Sequence, residues 1–322
     1  MKIFFSKLLA IFFVCSLSAL AQNPNYPDRQ IKIISPFAVG GIADSFARLI
    51  GQSLSDSWGQ PVVIENKTGG GGNIGADFVA KSPPDGYTLV MGNIGSHAVN
   101  PYLMKNMPYD PLKDFEPIAF VLDAEGLLVV NPSLPVKNVR ELIAYIKANP
   151  GKISYGSGGV GTTSHLAGEL FKTLAKVDMV HIPYKGNALA ITDLIGGQTQ
   201  IMFATMPTVL PYVKSGKLKA LAVIGASRTS SLPDVPTVSE TLPGFDVSNW
   251  IGLFSPAGTP KSIVNKLNSE IIKIMQQPNL QTRLESEGAK FKAMTPEAFA
   301  VFQKNEALKW AKTIKDSGIT PE

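Results

Sequence analysis

The sequence predicts an α/β protein of two lobes, each a mostly parallel sheet flanked by helices, joined by two crossings of the chain. Three observations predict it. Short β-type runs alternate with amphipathic helical runs along most of the chain. A length of 322 residues, with 44% hydrophobic and 17% charged, passes the size at which a single core keeps growing. The last stretch, roughly 70 residues, reads as nearly all helical without strands of its own, so it must return to pack on the first lobe.

The elements follow in order. Lys2 and Lys7 flank the start of an apolar run, Leu8 to Val14, that leads to Ala19-Leu20-Ala21; residues 1–21 read as a cleaved export signal. Cys15, the single cysteine, leaves with it. The mature chain then carries 28 basic against 25 acidic residues, and its net charge falls from +5 to +3. Residues 31–34 form a strand, 35–41 a loop, and Phe46, Leu49, Ile50 and Leu54 one helical face. A second strand (62–65), a glycine loop (69–72), a helix to about Lys81 and a third strand (87–91) come next. That order requires parallel pairing with right-handed crossovers.

Two apolar runs, 118–122 and 127–130, precede a helix with the face Val139, Leu142, Ile143 and Ile146, which Asn149-Pro150-Gly151 ends. A strand at 153–155, a loop at 156–161 and a helical stripe of Leu166, Leu170, Phe171 and Leu174 follow. Further strands are expected at 177–182, 200–203 and 218–224, with a helix at 188–195. The proline-bearing stretch 231–243 reads as connection, 250–254 as a strand leading back, and 263–274 as a closing helix. Lobe I is expected to comprise 22–122 and 251–322, and lobe II 123–250.

Composition excludes several classes. One cysteine cannot form an intramolecular disulfide, and no Cys/His set has zinc spacing, so no structural metal is expected. No later run reaches the ~18 apolar residues of a membrane span, so the mature chain should not insert in a membrane. The basic excess forms no Lys/Arg block, which removes nucleic acid as a partner.

Two glycine loops stand where a strand ends and a helix starts: Pro36 to Asp44, with Gly40-Gly41, and Gly156 to His165, with Gly158-Gly159. Free N–H groups and the positive helix end make such junctions anion sites. Tight turns and helix capping by Thr162, Thr163 or Ser164 would explain each loop locally; a matched pair, one per lobe, favours binding. The second loop also fits G-x-G-x-x-G, but Gly70 to Gly75 fits as well, so no nicotinamide or other cofactor is expected. No G-x-S-x-G or H-E-x-x-H occurs, and adjacent Ser164 and His165 point about 100° apart on a helix, so no catalysis is expected. His165 and His97 should orient loops or line a cleft, and His181 should be core. Asp44 sits in a first helical turn, where capping outweighs a ligand contact.

These residues resemble the periplasmic solute receptors of the tripartite tricarboxylate transporters, the Bug family. The resemblance rests on Pro36-Phe37 with Gly40-Gly41 and Asp44, Val62 to Asn66 before Gly72-Asn73-Ile74-Gly75, Pro84-Asp85-Gly86-Tyr87, and Tyr109-Asp110-Pro111 with Asp114-Phe115. It continues through Tyr155 to Gly161 ahead of His165 to Glu169, His181 to Gly186, and Pro233 to Thr237 with Glu240. It implies a flytrap of two lobes that closes on a small carboxylate and delivers it to a membrane permease of one large and one small subunit. The ligand would be held by main-chain groups and water. Carried over by motif, one lobe offers Phe37, Ala38, Gly40, Gly41 and Asp44; the other offers Ser157, Gly158, Gly159, Thr162, Thr163 and His165. Ser96, His97, Ala204 and Thr205 complete the expected set. Where the family often has an aspartate after the strand ending at Phe203, this chain has Ala204-Thr205, which points to a carboxylate without an amino group. A periplasmic monomer is expected; the rivals are a secreted hydrolase or transferase on the same fold, and a ligand-sensing receptor for a signalling partner.

Overall fold

The computed structural model describes residues 25–37, 39–184, 186–247, 249–286 and 288–316. The expected export signal and Ala38 lie outside the described residues.

β1 (Ile31–Ser35), α1 (Ile42–Trp58), β2 (Val62–Asn66), α2 (Asn73–Ala80) and β3 (Thr88–Asn93) open the first sheet, with β1 parallel to both β2 and β3. In α1, Phe46, Ile50 and Leu54 recur four apart and are fully buried, each contributing about 1.5–3 kcal/mol of apolar burial. Gly59 ends this helix in the left-handed conformation, φ 66°. A π-helical turn over Gly95–Val99 runs into α3 (Asn100–Leu103).

β4 (Phe115–Ala124) crosses the first sheet, and Glu125 alone separates it from β5 (Gly126–Val130) in the second. α4 (Val139–Ala148) buries Val139, Leu142 and Ile146; its cap residue Asn138 accepts the Glu141 N–H at 2.9 Å. β6 (Ser154–Ser157), α5 (Thr163–Ala175), β7 (Val180–Pro183), α6 (Asn187–Ile195), β8 (Ile201–Thr205), α7 (Met206–Lys214) and β9 (Lys219–Val223) complete a sheet of order β7-β6-β8-β5-β9. β10 (Asn249–Pro256) returns to the first sheet, followed by α8 (Lys261–Met275), α9 (Pro278–Ser286), β11 (Ala289–Lys290) and α10 (Pro296–Asp316). The first sheet reads β11-β4-β10-β3-β1-β2.

The α/β architecture with two sheets matches the expectation, with three corrections. Both sheets are mixed rather than mostly parallel: β10 runs antiparallel to β3 and β4, and β5 antiparallel to β8 and β9. One crossing leaves the first sheet and the other returns beside it, so the pair must run antiparallel. The expected boundaries at 122/123 and 250/251 fall inside β4 and β10, whose pairing extends to Asn249 opposite Ala124. The C-terminal stretch does own a strand, the two-residue β11 against β4.

α7 was not expected either, because Pro207 and Pro211 argue against a helix; Pro207 sits in the first turn, where its missing N–H costs nothing. α10 packs on β4 and also reaches α5, a helix of the other sheet, with Trp310 fully buried. One apolar cluster accordingly runs through both sheets, from Phe171 and Phe203 to Trp250 and Phe299.

Candidate functional site: a cavity ringed by helix starts

A cavity of about 690 Å³ opens between the two sheets. Its walls are the loops at the C-terminal ends of the strands, where loops of open α/β sheets converge. Phe37 follows β1, Thr68 to Gly72 follow β2, and Asn93 and Gly95 come at the end of β3. From the second sheet, Val160 to Ser164 follow β6, Asn187 follows β7, and Ala204 and Thr205 end β8. Four consecutive glycines make the tightest of these turns: Gly69 to Gly72 have φ 122°, 57°, 66° and 99°, a run of left-handed backbone that side chains would oppose. Their turn delivers the chain into α2 with Gly72 as its cap.

The electrostatics come from the backbone. α2, α5, α6 and α7 all begin at the cavity, through Gly72, Thr162 to Ser164, Asn187 and Thr205. Each helix start carries roughly half a positive charge. At α5 no side chain caps the free N–H groups, because Thr162 Oγ1 donates to Gly159 O at 2.6 Å and Ser164 Oγ accepts from Gly158 N at 3.0 Å. Among the described residues, no Asp, Glu, Lys, Arg or His side chain lines the cavity.

Three asparagines add side-chain donors. Asn93 Oδ1 accepts the Ser96 N–H at 3.0 Å, Asn249 Oδ1 accepts the Thr163 hydroxyl at 3.0 Å, and Asn187 Oδ1 faces Ser164 Oγ at 3.5 Å. With the oxygens engaged, each amide has its Nδ2 left to offer. A fourth, Asn100, donates to Asn73 Oδ1 at 2.8 Å, and the Tyr109 hydroxyl lies 2.8 Å from both Asn73 Oδ1 and Ser96 O, which stiffens this wall. The two sides nearly touch: a Cβ placed on Gly161 would lie 3.4 Å from Asn100 Oδ1 and 3.6 Å from Leu103 Cδ1.

Of the residues expected from sequence, Phe37, Thr162, Thr163, Ala204 and Thr205 line the cavity. Gly40 and Gly41 are exposed and do not line it. Asp44 is 1% exposed and bound elsewhere: it accepts from Gly40 N, from Arg48 through two bonds, and from Asn66 Nδ2 at 2.7 Å. Burial alone would raise its pKa, but the bonds from Arg48, Gly40 and Asn66 outweigh burial and hold it below the usual carboxylate range. Asn66 Nδ2 also donates to Phe37 O at 3.1 Å, so Asp44 braces the loop that carries a wall residue.

Ser96 and His97 are wholly buried behind the wall. The His97 ring stacks on Phe254 with centroids 4.1 Å apart, and burial pushes its pKa down to about 3. Ser157, Gly158 and Gly159 likewise stand behind the cavity. Ser157 Oγ sits 2.6 Å from His181 Nε2 and receives the Gly159 N–H at 3.1 Å. His165 orients the loop: its Nδ1 accepts the Gly161 N–H at 3.2 Å, and its ring stacks on His181 with centroids 4.2 Å apart. His181 is half-buried, and burial followed by the nearby His165 lowers its pKa to about 4.

Sequence reasoning read the glycine tract 69–72 as a loop without placing it in the site, and passed over the four asparagines. The tract had a usable signal, since it too lies between a strand and a helix. The asparagines, spread from 93 to 249, had none.

Comparison with known proteins follows the same line. A profile described as "Tripartite tricarboxylate transporter family receptor" matches residues 46–319. Protein BugT of Bordetella pertussis is 36% identical over 97% of this chain and 98% of BugT. Among solved structures, R. palustris Rpa4515 with adipate is 37% identical, with TM-score 0.83 over 92% of this chain and 100% of that one. MatC from Rhodopseudomonas palustris with bound malate is 34% identical, with TM-score 0.79 over 90% of this chain and 100% of that one. The chain therefore belongs to the family of tripartite tricarboxylate transporter receptors, which includes the Bug proteins.

Proposed function

We propose that this receptor captures a small carboxylate between its two lobes outside the cytoplasm and hands it to a membrane permease of one large and one small subunit. The observation that carries the reading is a cavity ringed by helix starts and amide donors, with no charged side chain lining it among the described residues. Such a site stabilises an anion through fixed N–H dipoles, and closing water out strengthens every bond to it. The adipate and malate held by Rpa4515 and MatC support the same class.

Binding residues in this reading are Phe37, the glycines 69–72, Thr163, Asn187 and Thr205, with Asn93 and Asn249 donating from the sides. The ligand has no ammonium group, because Ala204 and Thr205 supply no acid to receive one. The protein is read as a receptor and not an enzyme, since amides and hydroxyls with protein partners surround the cavity in place of an acid–base pair. Export by a cleaved signal over residues 1–21 would deliver it to the periplasm.

Calorimetry of the purified protein with small carboxylates, and with the matching neutral amides, tests the reading. A carboxylate at 100 times its dissociation constant should add about 2.7 kcal/mol of apparent stability, with no response to the amide. Equal affinity for acid and amide would refute it.

A further inference from the structure

We infer that the ligand carries a hydroxyl group beside its carboxylate and that Asn100 receives it: the side-chain oxygen of Asn100 tells a hydroxy acid from the parent acid without the hydroxyl. This rests on the carboxylate reading above. Asn100 opens α3, directly after the π-helical turn Gly95–Val99, and lines the cavity with only 5% of its surface exposed. It differs from Asn93, Asn187 and Asn249 in the atom it has left to offer.

The orientation of its amide follows from a chain of partners that ends in a sulfur. Asn73 Nδ2 lies 2.8 Å from Met104 Sδ, and a thioether has no proton to give, so the Asn73 nitrogen must be the atom that faces it. Asn73 Oδ1 is thereby turned toward Asn100, whose Nδ2 donates to it at 2.8 Å. The Tyr109 hydroxyl, 2.8 Å from the same oxygen, fits this orientation as a donor. Asn100 Oδ1 is then left to the cavity, and among the described residues no donor pairs with it. Asn93, Asn187 and Asn249 have their oxygens engaged and offer nitrogen; Asn100 has its nitrogen engaged and offers oxygen.

Three glycines keep this amide open. A Cβ on Gly161 would stand 3.4 Å from Asn100 Oδ1, one on Gly95 3.8 Å from the same oxygen, and one on Gly71 3.5 Å from Nδ2. All three glycines line the cavity. Once a ligand displaces water from Oδ1, leaving that acceptor without a donor costs about five- to a hundredfold in affinity, so the ligand must bring the proton. Its ionised carboxylate has none to bring and belongs with the N–H groups of the helix starts. An ammonium would need an acid beside the amide oxygen, and among the described residues none lines the cavity. A hydroxyl meets the demand, being neutral and able to donate one hydrogen bond.

The test is calorimetry of the purified protein with four matched pairs: lactate and propionate, 3-hydroxybutyrate and butyrate, malate and succinate, 4-hydroxybenzoate and benzoate. In the pair that binds most tightly, the hydroxy acid should exceed its parent by at least about tenfold. Asn100→Ala should reduce that ratio to about one. Gly161→Ala, whose methyl covers Oδ1 and leaves the bond to Asn73 in place, should lower it as well. A purely structural role for Asn100 would weaken both members of a pair alike and leave the ratio unmoved. A parent acid that binds as tightly as its hydroxy partner in the wild type, or a ratio that survives either substitution, overturns this inference and leaves the carboxylate reading standing. No binding of any of the eight acids overturns both.

Discussion

Replacing Asp44 separates bracing from ligand contact. In Asp44→Ala the Gly40 N–H, both Arg48 nitrogens and Asn66 Nδ2 lose their acceptor, at bond lengths of 3.0, 3.0, 3.0 and 2.7 Å. Bonds to a charged group are worth about 1.5–3 kcal/mol each when the partner stays buried. Here Arg48 is half exposed and Gly40 is exposed, so both can turn to water and the Asn66 bond carries most of the cost. The expected loss is about 1.5–3 kcal/mol. For a chain of this length that lowers Tm by roughly 2–5 °C, measured by calorimetric scanning. Ligand affinity should fall only a few-fold, through the relaxed Asn66 to Phe37 bond.

The pH dependence has a definite sign. The folded pKa of Asp44 is depressed, so its contribution is complete above the unfolded value near 4 and vanishes as pH falls through the folded one. The wild-type excess over Asp44→Ala should shrink below about pH 4. An unchanged Tm with affinity down a hundredfold would refute the reasoning and return Asp44 to the ligand.

Two further predictions are direct. Gly72→Val forces a side chain onto φ 99° and puts its Cβ 3.2 Å from Phe37 Cε1, so it should cost about 1–3 kcal/mol and weaken carboxylate binding at least about tenfold; unchanged affinity in titration would remove the glycine tract from the site. His97 is buried neutral, with its pKa lowered to about 3, so the unfolded chain takes up a proton below about pH 6.5 that the folded one refuses. Stability should then fall by up to about 1.4 kcal/mol per pH unit between about 6.5 and 3 from this group, and urea titrations of His97→Gln should show a shallower decline.

The parts of the fold legible in the sequence are those where periodicity changes within a few residues. β1 through β3 alternate with α1 and α2, whose faces repeat at helical spacing and whose ends carry glycine. α7 was hidden because its two prolines argue against the helix that tertiary packing around Met206 and Val209 supports. Strand directions were hidden too, since the antiparallel course of β10 depends on where the chain returns, which no local pattern records.

The site was half legible for a related reason. Thr162 and Thr163 announce themselves beside a glycine loop, as do Phe37 and the β8 end. Asn93, Asn187 and Asn249 meet only because two strand ends and one crossing strand arrive at one place. Asp44 and His97 carried chemistry-bearing side chains in suggestive loops, yet Arg48, Gly40 and Asn66 claimed the first and the core the second.

The two crossings lie side by side as hydrogen-bonded neighbours, Asn249 opposite Ala124. Such a two-stranded ribbon bends readily across its flat face and resists shear in its own plane. Any swing of one lobe against the other would turn about this ribbon, whereas sliding or twisting them would break its ladder. The same swing would have to repack α10, the helix that reaches α5 on the far sheet, so the ribbon and that helix together set how far the lobes can part.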